Sequence, residues 1–277
     1  MNSVSQREKR SDHLLEKIKL VVCDLDGTLL KTDKTLDERI ISIIQNKQYM
    51  FTVASGRSAV LVKDYVDALG VRMPYITNNG AQVYDARHGC MKQYDIAQGE
   101  VGFIIELAKK MKIECHANSD SCIYTVGRLE QIRPFRDRFV GKLPIVDHAL
   151  TEQITNDIIY KIVCIDSSLE KMNEFAKQVN LHCSGASCVR SEGNAYTVVN
   201  KEASKGAALR YIMDLYQIDR EEVLVFGDNY NDLSMFKAAG TSVAMENADR
   251  QIREQADFVT VSNDENGVSA FLIRMQK

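Results

Sequence analysis

Four consecutive apolar residues, Leu20-Val21-Val22-Cys23, run without a turn into Asp24-Leu25-Asp26-Gly27-Thr28. An unbroken apolar run of this length suits a strand covered on both faces, as in a parallel sheet, rather than one with a wet face. Asp24 and Asp26 are two apart, so at an extended strand end they can face the same spot.

The residues that follow repeat the arrangement. A helix is expected from about Leu36 to Gln45, with Ile40, Ile41, Ile43 and Ile44 as its apolar face. Phe51-Thr52-Val53-Ala54 reads as a second strand ending at Ser55-Gly56-Arg57. A second helix runs to about Leu69 and closes at Gly70, a residue suited to a helix C-terminus. Pro74-Tyr75-Ile76-Thr77 reads as a third strand, ending in the turn signal Asn78-Asn79-Gly80. This alternation implies right-handed crossovers and a doubly wound, Rossmann-like parallel α/β sheet. In such sheets ligands bind beyond the carboxyl ends of the strands, where each of these polar clusters falls.

The middle of the chain is different. Val83-Tyr84-Asp85 and Met91 to Tyr94 read as a hairpin around His88-Gly89, followed by a helix near Glu100 to Met111 and short strands near Ile113 to Ala117 and Cys122 to Val126. A helix near Leu129 to Phe139, a strand over Ile158 to Ile165, a helix over Leu169 to Val179 and a strand to about Arg190 complete it. Mixed elements of this kind predict an α+β module inserted into the parallel sheet. The parallel pattern is expected to resume near Ala195, with Tyr196-Thr197-Val198-Val199, then Lys205-Gly206 opening a helix to about Tyr216. Val223-Leu224-Val225-Phe226 is a further buried strand, ending at Gly227-Asp228-Asn229-Tyr230-Asn231-Asp232. The expected divisions are a charged N-terminal extension (1–18), a first core segment (19–84), an α+β cap (85–190) and a second core segment (191–277).

Composition narrows the function classes. The chain has 277 residues, 45% hydrophobic and 26% charged, enough for two ordinary soluble domains. A net charge of −3 and the lack of a dense Lys/Arg run argue against a nucleic-acid partner. Arg7-Glu8-Lys9-Arg10 reads as part of a solvated tail. No apolar run approaches the ~20 residues a membrane span requires, and Met1 to Lys19 does not resemble a secretory signal, so no membrane partner is expected. Seven scattered cysteines fit reduced thiols and a cytoplasmic protein. His182, Cys183 and Cys188 supply three potential zinc ligands where a structural site takes four, so they read as ordinary residues. Nothing in the pattern fixes an oligomeric state.

The strand-end clusters carry the chemistry. Asp24, Asp26, Asp228 and Asp232 would repel one another at one site unless a cation sat among them. A few hard carboxylate ligands suit magnesium, which keeps waters and shares ligands with a substrate phosphate. Ser55 and Lys205 add a hydroxyl and a positive charge, a cradle for a phosphoryl group. With no histidine at these strand ends, the nucleophile is expected to be a carboxylate. One of Asp24 and Asp26 would attack phosphorus. The other would protonate the leaving oxygen, which requires surroundings that favour its protonated form.

Asp24-Leu25-Asp26-Gly27-Thr28-Leu29 resembles the opening motif of the haloacid dehalogenase-like phosphatases. Ala54-Ser55-Gly56-Arg57, Lys205-Gly206 and Gly227-Asp228-Asn229-Tyr230-Asn231-Asp232 resemble the remaining three motifs, in order. Thr77-Asn78-Asn79-Gly80-Ala81, Val243-Ala244-Met245-Glu246-Asn247-Ala248, Gln255 to Thr260 and Glu265-Asn266-Gly267-Val268 are similar to the Cof-type sugar-phosphatase branch. The resemblance covers nearly all of 20–85 and 195–270. It implies a magnesium-dependent phosphatase acting on a small phosphorylated metabolite, such as a sugar phosphate, flavin mononucleotide or pyridoxal phosphate.

It further implies Asp24 as nucleophile and Asp26 as acid and base. Magnesium would be held by Asp24, the main-chain carbonyl of Asp26 and Asp228, with Asp232 acting through the metal's waters. Ser55, the Gly56 main chain and Lys205 would hold the phosphoryl group, Asn231 would bridge toward it, and Arg57 and Asn79 would meet the substrate. Ser55 stands where threonine is common, with the hydroxyl retained. A phosphosugar mutase and a non-catalytic phospho-ligand sensing module are the competing readings. In the cap, His116, His182, Tyr124, Phe135 and Phe139 read as ordinary or core residues, and Arg133, Arg136 and Arg138 as a solvated helix face.

Overall fold

A computed structural model describes residues 17–45, 49–191 and 194–275, so most of the charged N-terminal extension, including Arg7 to Arg10, lies outside the described residues. The first elements are β1 (Leu20–Cys23), α1 (Glu38–Gln45), β2 (Met50–Val53), α2 (Ala59–Leu69) and β3 (Tyr75–Thr77). A hairpin of β4 (Gln82–Asp85) and β5 (Gly89–Gln93) leads to α3 (Gln98–Met111), β6 (Glu114–Asn118) and β7 (Ile123–Val126). Next come α4 (Arg133–Arg136), β8 (Ile145–Val146), α5 (Thr151–Thr155), β9 (Lys161–Ile165), α6 (Leu169–His182), β10 (Ala186–Arg190) and β11 (Ala195–Asn200). The chain closes with α7 (Lys205–Tyr216), β12 (Val223–Gly227), α8 (Leu233–Ala238), β13 (Thr241–Met245), α9 (Arg250–Arg253), β14 (Phe258–Thr260) and α10 (Gly267–Arg274).

Five strands pair in parallel, in the order β14-β13-β12-β1-β2. A parallel bridge between Ala54 and Ile76 attaches β3 beyond β2. Counted along the core this is the 3-2-1-4-5-6 order of doubly wound sheets, whose direction switches between β1 and β12. Every residue of β1 is fully buried, which is why its side chains are apolar on both faces. The third strand differs from expectation in one respect: its main partner is the antiparallel hairpin, in a separate sheet ordered β3-β4-β5.

The inserted cap is a six-stranded sheet ordered β10-β11-β9-β6-β7-β8, antiparallel except between β7 and β8. Strand alternation gives it two faces. Cys115, Ala117, Ile162, Cys164, Tyr196 and Val198 pack under α3 and α6, against Ile104, Ile105, Met172 and Phe175. His116, Asn118, Lys161, Val163 and Thr197 lie on the opposite face, which looks toward the parallel sheet and helps line a cavity between the two.

The expectation that the parallel pattern resumes near Ala195 is corrected. Ala195–Asn200 is an antiparallel cap strand between β9 and β10, and the core returns only at α7. A short buried apolar run has the same pattern in either kind of sheet, so the residues alone could not separate them. The expected helix over Leu129 to Phe139 is also shorter: a helical turn over Arg133–Arg136 continues as a 3-10 turn over Asp137–Phe139. Pro134 sits in its first turn, where a missing N–H costs nothing.

Candidate active site

Parallel register determines what meets at the sheet's carboxyl edge. Cys23 lies level with Phe226 on one side and Val53 on the other, so Asp24, Asp228 and Ser55 follow their strands out at nearly one height. Gly27 sits at φ +82°, and a side chain there would collide with the Asp228 carboxylate. Only glycine therefore lets the loop after β1 pass this close to the loop after β12.

Lys205 opens α7, whose Ser204 cap accepts from the Ala207 N–H at 3.0 Å. Its side chain is fully buried, and its ammonium contacts Asp24 Oδ1 at 2.6 Å and Asp232 Oδ1 at 2.7 Å. The other oxygen of Asp232 accepts the Asp228 and Asn229 N–H groups, each at 3.0 Å, which shapes the loop presenting Asp228. Thr28 Oγ1 donates to Asp228 Oδ1 at 2.7 Å. Among the described residues, Asp24, Asp228 and Asp232 form one group of carboxylates whose oxygens lie within 4.8 Å of one another.

These carboxylates fit a cation. Burial pushes the Asp24 carboxyl well up; Lys205 opposes that rise, while Asp232 and Asp228 add to it. Asp228 is raised as well, by burial and then by Asp232. One buried ammonium thus faces three carboxylates, and a hard divalent ion would supply the missing charge.

The residues expected to meet a phosphoryl group come largely from the turns after β2 and β3. Ser55 is buried, and its hydroxyl accepts the Arg57 N–H at 3.1 Å. Asn78 and Asn79 both adopt positive φ, 49° and 59°, a conformation asparagine tolerates better than most residues. Asn231 Nδ2 donates to Asn79 Oδ1 at 2.9 Å, and the buried Asn231 Oδ1 has no partner among the described residues. Lys161 reaches from the cap to donate to the Gly56 carbonyl at 2.6 Å.

Asp26 departs from the surroundings expected of an acid. Burial alone would raise its carboxyl, but two hydrogen bonds from Arg57, both 2.6 Å, and one from Lys34 at 2.8 Å outweigh it. The result is a carboxyl held down to about 2. In this arrangement it is a base.

A cavity of about 430 Å³ opens over these groups, with Asp24, Asp26, Gly56, Arg57, Asn79, Asp228 and Asn231 on its core side. Ser55, Lys205 and Asp232 lie buried behind that lining. The sequence reading missed Thr28, Lys34 and Lys161; it took His116 for an ordinary cap residue, Phe135 and Phe139 for core and Arg138 for a solvated face, and all four line the cavity, Phe139 from within a small core cluster. One signal was present: His116-x-Asn118 puts two polar side chains on one face of a strand whose other face is apolar.

A family profile for haloacid dehalogenase-like hydrolases matches residues 21–272. The chain belongs to that family. Over 92% of its length it is 28% identical to the 5-amino-6-(5-phospho-D-ribitylamino)uracil phosphatase YwtE of Bacillus subtilis, covering 97% of that protein. The solved structure of TM0651 from Thermotoga maritima is 31% identical, with a TM-score of 0.79 over 93% of this chain and 97% of that one. A haloacid dehalogenase-like hydrolase from B. subtilis is 25% identical, with a TM-score of 0.82 over 92% and 99%. The chain is an enzyme of this family, a phosphatase acting on phosphorylated small molecules. Among the described residues, no helix is long and apolar enough to cross a membrane.

Proposed function

We propose that the chain hydrolyses small phosphomonoesters with magnesium, through an aspartyl-phosphate on Asp24. The supporting observation is the Asp24–Lys205–Asp232 cluster beside Asp228. It is a buried carboxylate aligned by a buried ammonium, with negative charge left over for a cation. Asp24, Asp228 and the Asp26 carbonyl would hold the metal, with Asp232 behind it; the ion supplies charge neutralisation for the phosphoryl oxygens.

An Asp24 oxygen attacks phosphorus, and the ester P–O bond breaks with its electron pair going to the leaving oxygen. That oxygen takes a proton from the Asp26 carboxyl, and Asp26 afterwards takes a proton from the water that attacks the aspartyl-phosphate. The second attack breaks the P–O bond to Asp24 and releases phosphate. Asp26 must first leave its pairing with Arg57 and take up a proton from solvent, which it then gives to the leaving oxygen. An arriving phosphoryl dianion competes for that guanidinium, since phosphate accepts a bidentate pair as a carboxylate does. Ser55, the Gly56 main chain, Arg57, Asn79, Asn231 and Lys205 then orient the phosphoryl group, and the cap excludes water.

Sugar phosphates and phosphorylated ring compounds such as flavin mononucleotide or pyridoxal phosphate are the substrate class, in keeping with YwtE, whose named substrate is a phosphorylated ribitylaminouracil. The test is phosphate release from a panel of such esters, with and without magnesium, by wild type and Asp24→Asn. Metal-dependent release that the variant loses is expected. Release by folded Asp24→Asn at the wild-type rate would exclude Asp24 as nucleophile, and conversion of a hexose 1-phosphate to its 6-phosphate would mark a mutase.

A further inference from the structure

The cavity has two ends of different chemistry. Its core end is charged. Its cap end is the inner face of β6, β9 and β11, where Asn118 stands opposite Lys161, and His116 opposite Val163 with Thr197 beyond. His116 and Asn118 are 2% and 1% exposed, and both line the cavity. Among the described residues, neither His116 Nδ1 nor Asn118 Oδ1 has a hydrogen-bond partner. A buried polar atom left unmade costs about 1–3 kcal/mol, so two of them on one wall mark a place where something else makes the bond.

The ring of His116 stacks near Phe135, 6.4 Å between centroids, and tilts against Phe139 at 6.0 Å, so its faces are covered by aromatics. Burial, with Lys161 and Arg138 nearby, pulls its pKa down to about 3, against the adjacent Asn118 amide, which favours the charged ring. The imidazole is therefore neutral, with one nitrogen donating and the other accepting. Asn118 is neutral at any pH. Two positions apart on one strand face, the two side chains lie within reach of each other and present neighbouring donor and acceptor groups to the cavity. Asn118 Oδ1 can only accept. A carboxylate or a second phosphate cannot donate to it, whereas a hydroxyl both donates and accepts and so satisfies either atom.

We infer that His116 and Asn118 form a specificity-determining subsite that hydrogen-bonds hydroxyl groups of the leaving group, selecting neutral polyhydroxylated esters over those carrying a second anionic group there. This rests on the phosphatase reading above. Selection follows because a site built around hydrogen-bonding groups rejects a ligand that leaves them unpaired.

The test uses three phosphate esters: D-glucitol 6-phosphate, 6-phospho-D-gluconate, which has the same carbon chain ending in a carboxylate, and p-nitrophenyl phosphate, which has no hydroxyl. Wild type is expected to favour the glucitol ester over the gluconate by tenfold or more in kcat/KM. In Asn118→Ala, and in the conservative His116→Gln, the ratio of kcat/KM for glucitol phosphate to that for p-nitrophenyl phosphate should fall about tenfold, the worth of one buried hydrogen bond. Three results would overturn the subsite: equal or better use of the gluconate, an unchanged ratio in both variants, or hydrolysis of the nitrophenyl ester alone. Release from none of the three esters by wild type is a different failure, because it removes the phosphatase reading and the inference with it.

Discussion

Arg57 holds Asp26 through two parallel hydrogen bonds of 2.6 Å, from Nε to Oδ2 and from Nη2 to Oδ1. The guanidinium is itself anchored over the Tyr65 ring, 5.1 Å from its centroid. Arg57 thus occupies the carboxylate proposed as the acid, and in that mechanism substrate binding exchanges one anion for another on the same fork.

Replacing that fork should separate two roles. In Arg57→Ala the phosphoryl group loses a bidentate partner, so KM for any phosphate ester should rise about tenfold or more. Asp26 should also lose the cause of its low pKa. In wild type this carboxyl sits at about 2, below its ordinary value near 3.9, so its contribution to stability is present above about pH 4 and is lost as pH falls toward 2. Urea unfolding at pH 5 and pH 3 should accordingly show a smaller acid loss in Arg57→Ala than in wild type. Equal losses would mean that Arg57 does not set the Asp26 titration.

Metal removal should reverse the usual pH trend at the other carboxylates. Asp24 and Asp228 are raised in the folded, metal-free protein, chiefly by burial. The folded state then binds more protons than the unfolded one above the ordinary carboxylate range, so stability falls as pH rises. Magnesium held as proposed by the ionised forms should flatten that decline. The melting temperature in EDTA is expected to drop between pH 5 and pH 8, and the gain from saturating magnesium should be larger at pH 8. Ligand at 100 times its dissociation constant adds about 2.7 kcal/mol. A magnesium shift that does not vary with pH would contradict this account.

The parallel core was legible because its central strands are buried on both faces and end in distinctive polar clusters. Asp24, Ser55 and Asp228 could be placed together from register alone, since parallel strands carry their carboxyl ends to one edge. Lys205 could not, because the strand before it belongs to the cap. The cap was less legible. Ala195–Asn200 looks like a core strand because its buried side chains are apolar, and only its antiparallel partners assign it to the second sheet. The polar pair His116-x-Asn118 set one strand face apart from the other, but whether that face meets a helix or an open cleft depends on elements far along the chain. The state of Asp26 was hidden for a similar reason: Arg57 is 31 residues away.

Lys205 should be as important to stability as to chemistry. Its buried ammonium neutralises Asp24 and Asp232, and their charges in turn hold its pKa up against burial. Removing one partner of a buried pair costs about 3–5 kcal/mol, because the other charge stays buried and uncompensated. Lys205→Met measured by urea unfolding in EDTA should lose stability on that scale. Adding Asp24→Asn in the same chain should restore part of it, giving a coupling energy that two independent sites would not show.

Lys161 joins the cap to the phosphoryl cradle, donating to the Gly56 carbonyl at 2.6 Å from a strand of the second sheet. It stands opposite Asn118 on the neighbouring strand and also holds the loop after β2, where the proposed phosphoryl-binding residues lie. Its replacement should therefore not discriminate between leaving groups. Lys161→Met is expected to lower kcat/KM for glucitol 6-phosphate and p-nitrophenyl phosphate by similar factors, on the order of tenfold for a charge-assisted hydrogen bond. Asn118→Ala should instead change the ratio between the two esters. A Lys161→Met protein that loses only the hydroxylated substrate would move this lysine from the cradle into the leaving-group subsite.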